Sequence, residues 1–359
     1  MTRRRRLGAA VLALCLAPFV AWTALRLLGA ERGYPSVQLV AFTPYVALAS
    51  LAPLVVALLS RLRWHAVVAA AVTVALAWCV VPRLVPGDGD PLGARTGGVH
   101  LRVLAANLYV GAADPGSLVE LVRRRQVDLL AVQELTPEAA AGLDAAGLAT
   151  LLPYRAVHPA PGGGGSAVYS RHPIVDPGVR TLPWCHLQAF ATLQVPGARP
   201  VAVESAHPCA PTDDGAAREW AADLAVEPGA SPSGPPRILL GDFNATLDHG
   251  GLRALLATGY RDAAATLGAG LDPTWPYLAG SVHGVPIPPI TLYHVLADPR
   301  LGVRGFEVIP VAGSDHRAVL ADLVLPGGPG PGSGAGTTGV NAGVNAAGSP
   351  AAPGGSGSR

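Results

Sequence analysis

The 359 residues are half hydrophobic and only 14% charged, too apolar for one ordinary soluble domain. The net charge of +2 conceals an opposition: residues 1–98 carry ten Arg against Glu31, Asp88 and Asp90, whereas 99–325 carry fifteen Arg against twenty-one acids. That is about +7 against about −6, and an acidic domain is a poor partner for a long polyanion, which disfavours nucleic acid as the ligand.

In chain order, Arg3–Arg6 precede an uncharged apolar run over 7–25, and further runs follow at about 37–59 and 66–81. Each approaches the ~20 residues a helix needs to cross the hydrocarbon of a bilayer, so residues 1–86 are expected to form three transmembrane helices. A cleaved signal peptide is the rival reading of the first run, and the two later runs argue for an anchor instead. Arg3–Arg6 and the loop with Arg61 and Arg63 fall on one side of a three-span layout, and the positive-inside rule makes that side the cytoplasm. The expected result is a multi-pass cell-membrane protein with everything after the third span outside. Residues 87–98, rich in Gly, Pro and Asp, read as a tether. Cys185 and Cys209, the only cysteines beyond the spans, suggest one disulfide in an oxidising compartment; zinc is the competitor, at a spacing that suits no zinc pattern.

Residues 99–325 alternate apolar runs with turn residues. Strands are expected at 100–108, 127–135, 166–170, 187–195, 200–207, 237–243, 290–296, 304–310 and 317–325. Helical patterns lie at 117–125, 137–146, 216–225 and 251–258. Many strands with few helices predict an α/β sandwich of two packed sheets flanked by helices. Residues 326–359, almost all Gly, Ala, Pro, Ser, Thr, Val and Asn, are expected to be a disordered tail.

Polar residues stand at the strand ends: Asn107, Glu134, His207, Asp242, Asn244, Asp315 and His316. Strand ends gather along one sheet edge, so these groups are expected in one cleft. Glu134, Asp315 and the Asn107 amide offer hard oxygen ligands of the kind Mg²⁺ or Mn²⁺ prefers. Asp242 and Asn244 suit a water nucleophile, and the histidines suit charge developing on a phosphoryl group. Taken singly, each has a plainer reading: a turn Asn, a capping Glu, a surface His.

The series Ala-Asn-Leu (106–108), Val-Gln-Glu (132–134), Gly-Ser-Ala-Val-Tyr-Ser-Arg-His-Pro-Ile (165–174), His207, Gly-Asp-Phe-Asn (241–244), Thr-Trp-Pro (274–276) and Gly-Ser-Asp-His (313–316) resembles the endonuclease/exonuclease/phosphatase superfamily. That resemblance implies a four-layered α/β sandwich. It implies metal binding by Asn107 and Glu134 with help from Asp315, water activation by Asp242 and Asn244, and phosphate binding by His207 and His316. The three-span layout further resembles actinobacterial membrane members of the superfamily, including VanJ-like teicoplanin-resistance proteins. One departure is Tyr293, which stands where the family has an Asp that orients the final His; the Tyr hydroxyl is expected to take that hydrogen bond without bringing a charge. The function expected is hydrolysis of a lipid or cell-envelope phosphoester or pyrophosphate beside the bilayer. An extracellular nuclease and a catalytically impaired envelope-binding protein are the alternatives.

Overall fold

The computed structural model describes residues 3–89, 98–183, 185–277, 281–282 and 285–328. Most of the expected tether and nearly all of the expected tail lie outside these residues. The apolar segment opens with helix α1 (Arg3–Leu28), then α2 (Ser36–Val40), α3 (Thr43–Ala49), α4 (Leu51–Leu59) and α5 (Arg63–Val80), which runs on as a 3-10 turn, Val81–Leu84. The remaining elements are β1 (Val99–Asn107), α6 (Pro115–Arg125), β2 (Leu129–Gln133), α7 (Pro137–Ala145), α8 (Leu148–Leu151), β3 (Tyr154–His158), β4 (Ser166–Ser170), β5 (Ile174–Thr181), β6 (Leu187–Leu193) and β7 (Val201–Ala206). After these come α9 (Asp214–Ala225), β8 (Arg237–Asp242), α10 (Gly250–Ala257), β9 (Arg261–Asp262), α11 (Ala263–Thr266), β10 (Ser281–Val282), β11 (Val285–Pro286), β12 (Tyr293–Ala297), β13 (Gly302–Pro310) and β14 (Arg317–Leu325).

Two six-stranded sheets, ordered β13-β14-β1-β2-β4-β3 and β5-β6-β7-β8-β12-β9, pack face to face. Both are mixed: β1–β2 and β7–β8 are parallel, and the other pairs are antiparallel. Alternate side chains explain the layering, since inward residues such as Val103, Ala131, Val203, Leu240 and Val295 form the core between the sheets. The opposite faces bury Leu104, Leu130 and Val132 under α6–α8, and Leu239, Phe243 and Leu296 under α9 and α10. The expected sandwich is therefore present, with helices outside both sheets. Edge strand β3 and edge strand β5 are additions to the sequence reading. β5 carries Pro177 and Gly178 at a register shift, which interrupts the periodicity that marks a strand.

The second apolar run departs from expectation. It does not form one helix: α2 breaks at Ala41–Phe42, ahead of Pro44 in the first turn of α3. Val37 of α2 is buried in the domain core beside Ala206, Cys209, Phe243 and Leu247, not in an apolar span. Two helices, Arg3–Leu28 and Arg63–Leu84, are long and apolar enough to cross a membrane, and the stretch Thr43–Leu59 is shorter. The start of the expected tether is likewise docked, with Gly87 N–H donating to Thr266 O and Val303 N–H to Gly89 O.

Candidate active site

One edge of the sandwich collects the chemistry because the parallel strands β1, β2, β7 and β8 all end there, while β6, β12 and β14 begin there. Asn107 closes β1, Glu134 follows β2, His207 follows β7 and Asp242 closes β8. Tyr293 opens β12 directly opposite Asp242, and His316 immediately precedes β14. Gly241, with φ +149°, permits this closure: a Cβ there would strike Ala206 O of the parallel neighbour and the Gln133 amide.

The Asn107 amide stands between two carboxylates. Its Nδ2 donates to Glu134 Oε1 at 2.7 Å and to Asp242 Oδ2 at 3.3 Å, and its Oδ1 accepts from Tyr109 N–H at 2.8 Å. Val110 N–H donates to Glu134 Oε2 at 2.6 Å. Tyr109, Val110, Glu134 and Asn244 all hold left-handed backbone, with φ of 49°, 52°, 55° and 48°. Such conformations cost non-glycine residues about 1–2 kcal/mol each and persist where neighbouring bonds enforce them. Here those bonds fix the two carboxylates.

Asn244 N–H donates to Asp242 Oδ1 at 2.9 Å and its Nδ2 to Pro208 O at 3.0 Å, which leaves its amide oxygen uncommitted to these partners. Burial pushes the Asp242 carboxyl up from its usual range, against the pull of His316, the Asn244 N–H and the Asn107 amide. A carboxylate made more basic in this way is a better proton acceptor. His207 is held well below the usual imidazole range by burial, with the neighbouring His186 and His316 adding to the effect. It is neutral at neutral pH.

The seven residues singled out in the sequence thus share one site, although two contacts differ from expectation. Asp315 sits on the far side of His316, its Oδ2 accepting from Trp275 Nε1 at 3.1 Å and its buried Oδ1 making no hydrogen bond. Tyr293 is indeed beside His316, ring centroids 5.5 Å apart, but its hydroxyl donates to Gln133 Oε1 at 3.4 Å and is not the histidine's partner. The carboxylates near His316 are Asp242, with Oδ2 3.5 Å from Nδ1, and Asp315, with Oδ1 3.7 Å from Nε2. A tyrosine buried this deeply fills space that a charged Asp would leave poorly solvated.

Three further residues join the site. Ser314 Oγ donates to Asn107 O at 2.9 Å, tying the last loop to β1. Trp275 belongs to the Thr-Trp-Pro motif, which is where the sequence carried its signal. His186 stacks on His207, centroids 3.9 Å apart and planes 10° apart, and its Nδ1 donates to His207 O at 2.9 Å. Its neighbour Cys185 is disulfide-bonded to Cys209, Cα atoms 5.6 Å apart, as the cysteine count suggested. Among the described residues, the only group of three or more His, Cys, Asp or Glu ligand atoms within 4.8 Å of one another is Cys185, Cys209 and Asp223. The disulfide consumes both thiols, so the competing zinc reading falls.

Asn107, Glu134 and Asp315 offer the hard oxygen donors that a divalent cation prefers; Glu134 and Asp242 converge on the Asn107 amide, and a buried Asp315 oxygen across His316 is left without a hydrogen bond. Residues 104–316 match the Endonuclease/Exonuclease/phosphatase family. The chain belongs to that family. Members of the family hydrolyse phosphoester bonds and generally use divalent metal ions. A search of curated proteins found no match. Among solved structures, an endonuclease/exonuclease/phosphatase from Beutenbergia cavernae is 20% identical with a TM-score of 0.51, over 64% of this chain and 72% of that one. A D. rerio TDP2 humanized by 14 mutations is 14% identical with a TM-score of 0.51, over 62% of this chain and 98% of that one. D. rerio TDP2 complexed with a single-strand DNA product is 16% identical with a TM-score of 0.50, over 62% and 98%. At these identities the likeness is one of fold.

Proposed function

We propose that the chain is a multi-pass, membrane-anchored phosphoester hydrolase of the VanJ-like type, with its catalytic domain on the outer face. Its substrate is a lipid or cell-envelope phosphoester or pyrophosphate. The observation that carries this reading is a run of contacts from the apolar helices to the catalytic rim. Tyr45 of α3 donates to Pro289 O at 2.7 Å, the adjoining Ile290 pairs with Trp275, and Trp275 donates to the Asp315 carboxylate. On the other wall, Gln38 of α2 donates to Pro211 O, three residues past the Pro208 carbonyl that Asn244 engages. A cleft bordered by the anchor meets lipid head groups at far higher local concentration than soluble polymers.

Orientation is supported by the course of the helices. Arg5 donates to Arg61 O at 3.4 Å, so both basic clusters lie at one end of the helical segment, while Arg26 and Arg83 at the other end bind the domain. Most of α1 and α5 is exposed, Leu14, Val74 and Trp78 among them, as expected for surfaces that face lipid. The stretch Thr43–Leu59 is a return limb of about 25 Å between them.

In this mechanism Asp242 accepts a proton from the water that Asn244 orients, and His207 and His316 donate to the phosphoryl oxygens. A divalent cation, Mg²⁺ or Mn²⁺, bound by Asn107, Glu134 and Asp315 would polarise the phosphoryl group and stabilise its developing charge. The nuclease alternative draws on the fold shared with TDP2, whose structure holds a single-strand DNA product; the domain's net −6 weighs against it. The test is turnover of a lipid pyrophosphate, a phosphodiester lipid and single-stranded DNA by the full chain in detergent with Mg²⁺ or Mn²⁺. Glu134→Gln should lower turnover and weaken metal dependence, whereas Asp242→Asn should lower turnover at unchanged metal affinity. Preference for DNA would reverse the substrate assignment, and full activity in both variants would remove the site assignment.

A further inference from the structure

His186 takes no part in the reaction as derived above, yet its surroundings fix it in one orientation. The ring lies flat on His207, and Nδ1–H is committed to the His207 carbonyl at 2.9 Å. One residue back, Cys185 is joined to Cys209, two residues past His207, so the strand starts and ends bearing the two histidines are covalently linked. Only Nε2 remains for a ligand. It lies beside Gly163: a Cβ built there would be 3.7 Å from His186 Nε2 and 3.7 Å from the Glu134 carboxyl carbon. The imidazole nitrogen and the Glu134 side chain therefore flank the same side-chain-free Gly162–Gly164 turn, which leaves room for a ligand beside them.

A packing role alone does not account for this arrangement. Burial, with His186 and His316 beside it, disfavours charge on the His207 ring, and an apolar aromatic residue in place of His186 would not add to that cost. An anion bound beside the stacked pair offsets that cost, because it attracts positive charge.

We propose that His186 is a substrate-contacting residue that donates from Nε2 to a non-bridging oxygen of the substrate's phosphoryl group, beside the His207 contact. This rests on the phosphoester reading above. With Nδ1–H given to the carbonyl, Nε2 makes such a bond only as N–H, so the ring binds as the imidazolium and takes its second proton from solvent. No covalent bond forms or breaks in that step. The disulfide acts as a positioning device that keeps the second imidazole aligned with the first.

The test uses the full chain in detergent with Mg²⁺, with inorganic phosphate as the binding probe by calorimetry and bis(p-nitrophenyl) phosphate as the substrate. His186→Ala should weaken phosphate binding and raise KM about tenfold, the worth of one charge-assisted hydrogen bond, with a smaller change in kcat. His186→Gln, which returns an N–H near the Nε2 position, should recover part of the loss. Thermal midpoints of both variants should stay near that of the unmodified chain. Unchanged phosphate affinity in His186→Ala overturns the proposal, as does a fall in kcat and thermal midpoint with affinity intact. Failure of the unmodified chain to bind phosphate also overturns it. Calorimetry needs no turnover, so a chain that binds phosphate but cleaves no ester would sink the hydrolase reading while leaving the His186 contact to be judged by affinity.

Discussion

Asp248 clamps the helical segment to the domain, and neutralising it should be felt across the whole molecule. Arg26 Nε reaches Asp248 Oδ1 at 2.6 Å; Arg83 reaches Oδ2 at 2.8 Å and Oδ1 at 2.6 Å. Both guanidinium groups also donate to Leu247 O, at 3.2 and 3.3 Å. The side chains are 7%, 8% and 0% exposed for Arg26, Arg83 and Asp248, so no solvent replaces a lost partner. Asp248→Asn keeps the shape but leaves two buried cations facing a neutral amide, a change worth roughly 3–5 kcal/mol. For a domain of this size each kcal/mol shifts the midpoint by about 2–4 °C, so the full chain in detergent should melt roughly 6–20 °C lower. Replacing the whole cluster by Arg26→Met, Arg83→Met and Asp248→Leu removes the charges together and should restore most of the loss. An Asp248→Asn midpoint within about 2 °C of the unmodified chain would refute the reasoning. So would a triple variant no better than the single one.

A second prediction concerns the buried acids behind His207. Gln188 accepts from His207 N–H and donates to Glu204 and Glu227, which share Arg180. Burial and the adjacent Glu204 push the Glu227 carboxyl up to about 7 from an ordinary 4.5. The folded state thus prefers the protonated acid: its stabilisation is full below about pH 4.5 and is lost as pH rises toward 7. Glu227→Gln should raise the unfolding free energy at pH 8, by on the order of 1–3 kcal/mol, and change it little at pH 4.5; equal effects at both would disprove the linkage. Tyr293→Asp, which restores the usual family residue, should destabilise rather than activate, because it opens a cavity and buries a charge beside Asp242 and Glu134. Greater activity near neutral pH in that variant would show instead that a carboxylate at position 293 orients His316. On topology, protease added to intact cells should remove the C-terminal end, and full protection until the membrane is breached would reverse the orientation.

The strands legible in the sequence are those that the core requires to be apolar on one or both faces. β1, β2, β4, β7, β8 and β14 read clearly because their residues are buried by both layers around them. β3 and β5 lie at sheet edges, where Tyr154, Arg155, Asp176 and Pro177 are tolerated, and periodicity fails. The site residues were legible for a related reason. A polar residue ending an apolar strand has few structural uses, and seven of them recur in one order. What pattern cannot supply is which solvent an apolar run faces. Val37 is as apolar as the residues of α4, yet it packs with Phe243 of the Asp242–Asn244 loop. Nor can pattern give direction: Tyr293 was located beside His316, but only the fold turns its hydroxyl to Gln133. His186 escaped because a histidine next to a cysteine reads as disulfide surroundings until the stack on His207 is seen.

The placement of α2 bears on how the helical segment and the chemistry are related. Val37 packs with Phe243, the residue between Asp242 and Asn244, and its carbonyl accepts from His249 Nε2 at 2.8 Å. Glu31 accepts from Gly250 N–H at the start of α10, and Arg253 returns a bond to Arg26 O at 2.8 Å. These contacts hold the loop that carries the proposed base from the side opposite the cleft. A chain cut at Val99 would leave Phe243, Leu247 and Cys209 facing water where Val37 now covers them, and would leave Asp248 without either arginine. The N-terminal segment is thus a wall of the catalytic domain as well as the proposed anchor. Movements of α1 or α5 would reach Asp242 through one buried ion-pair cluster and one helix of five residues.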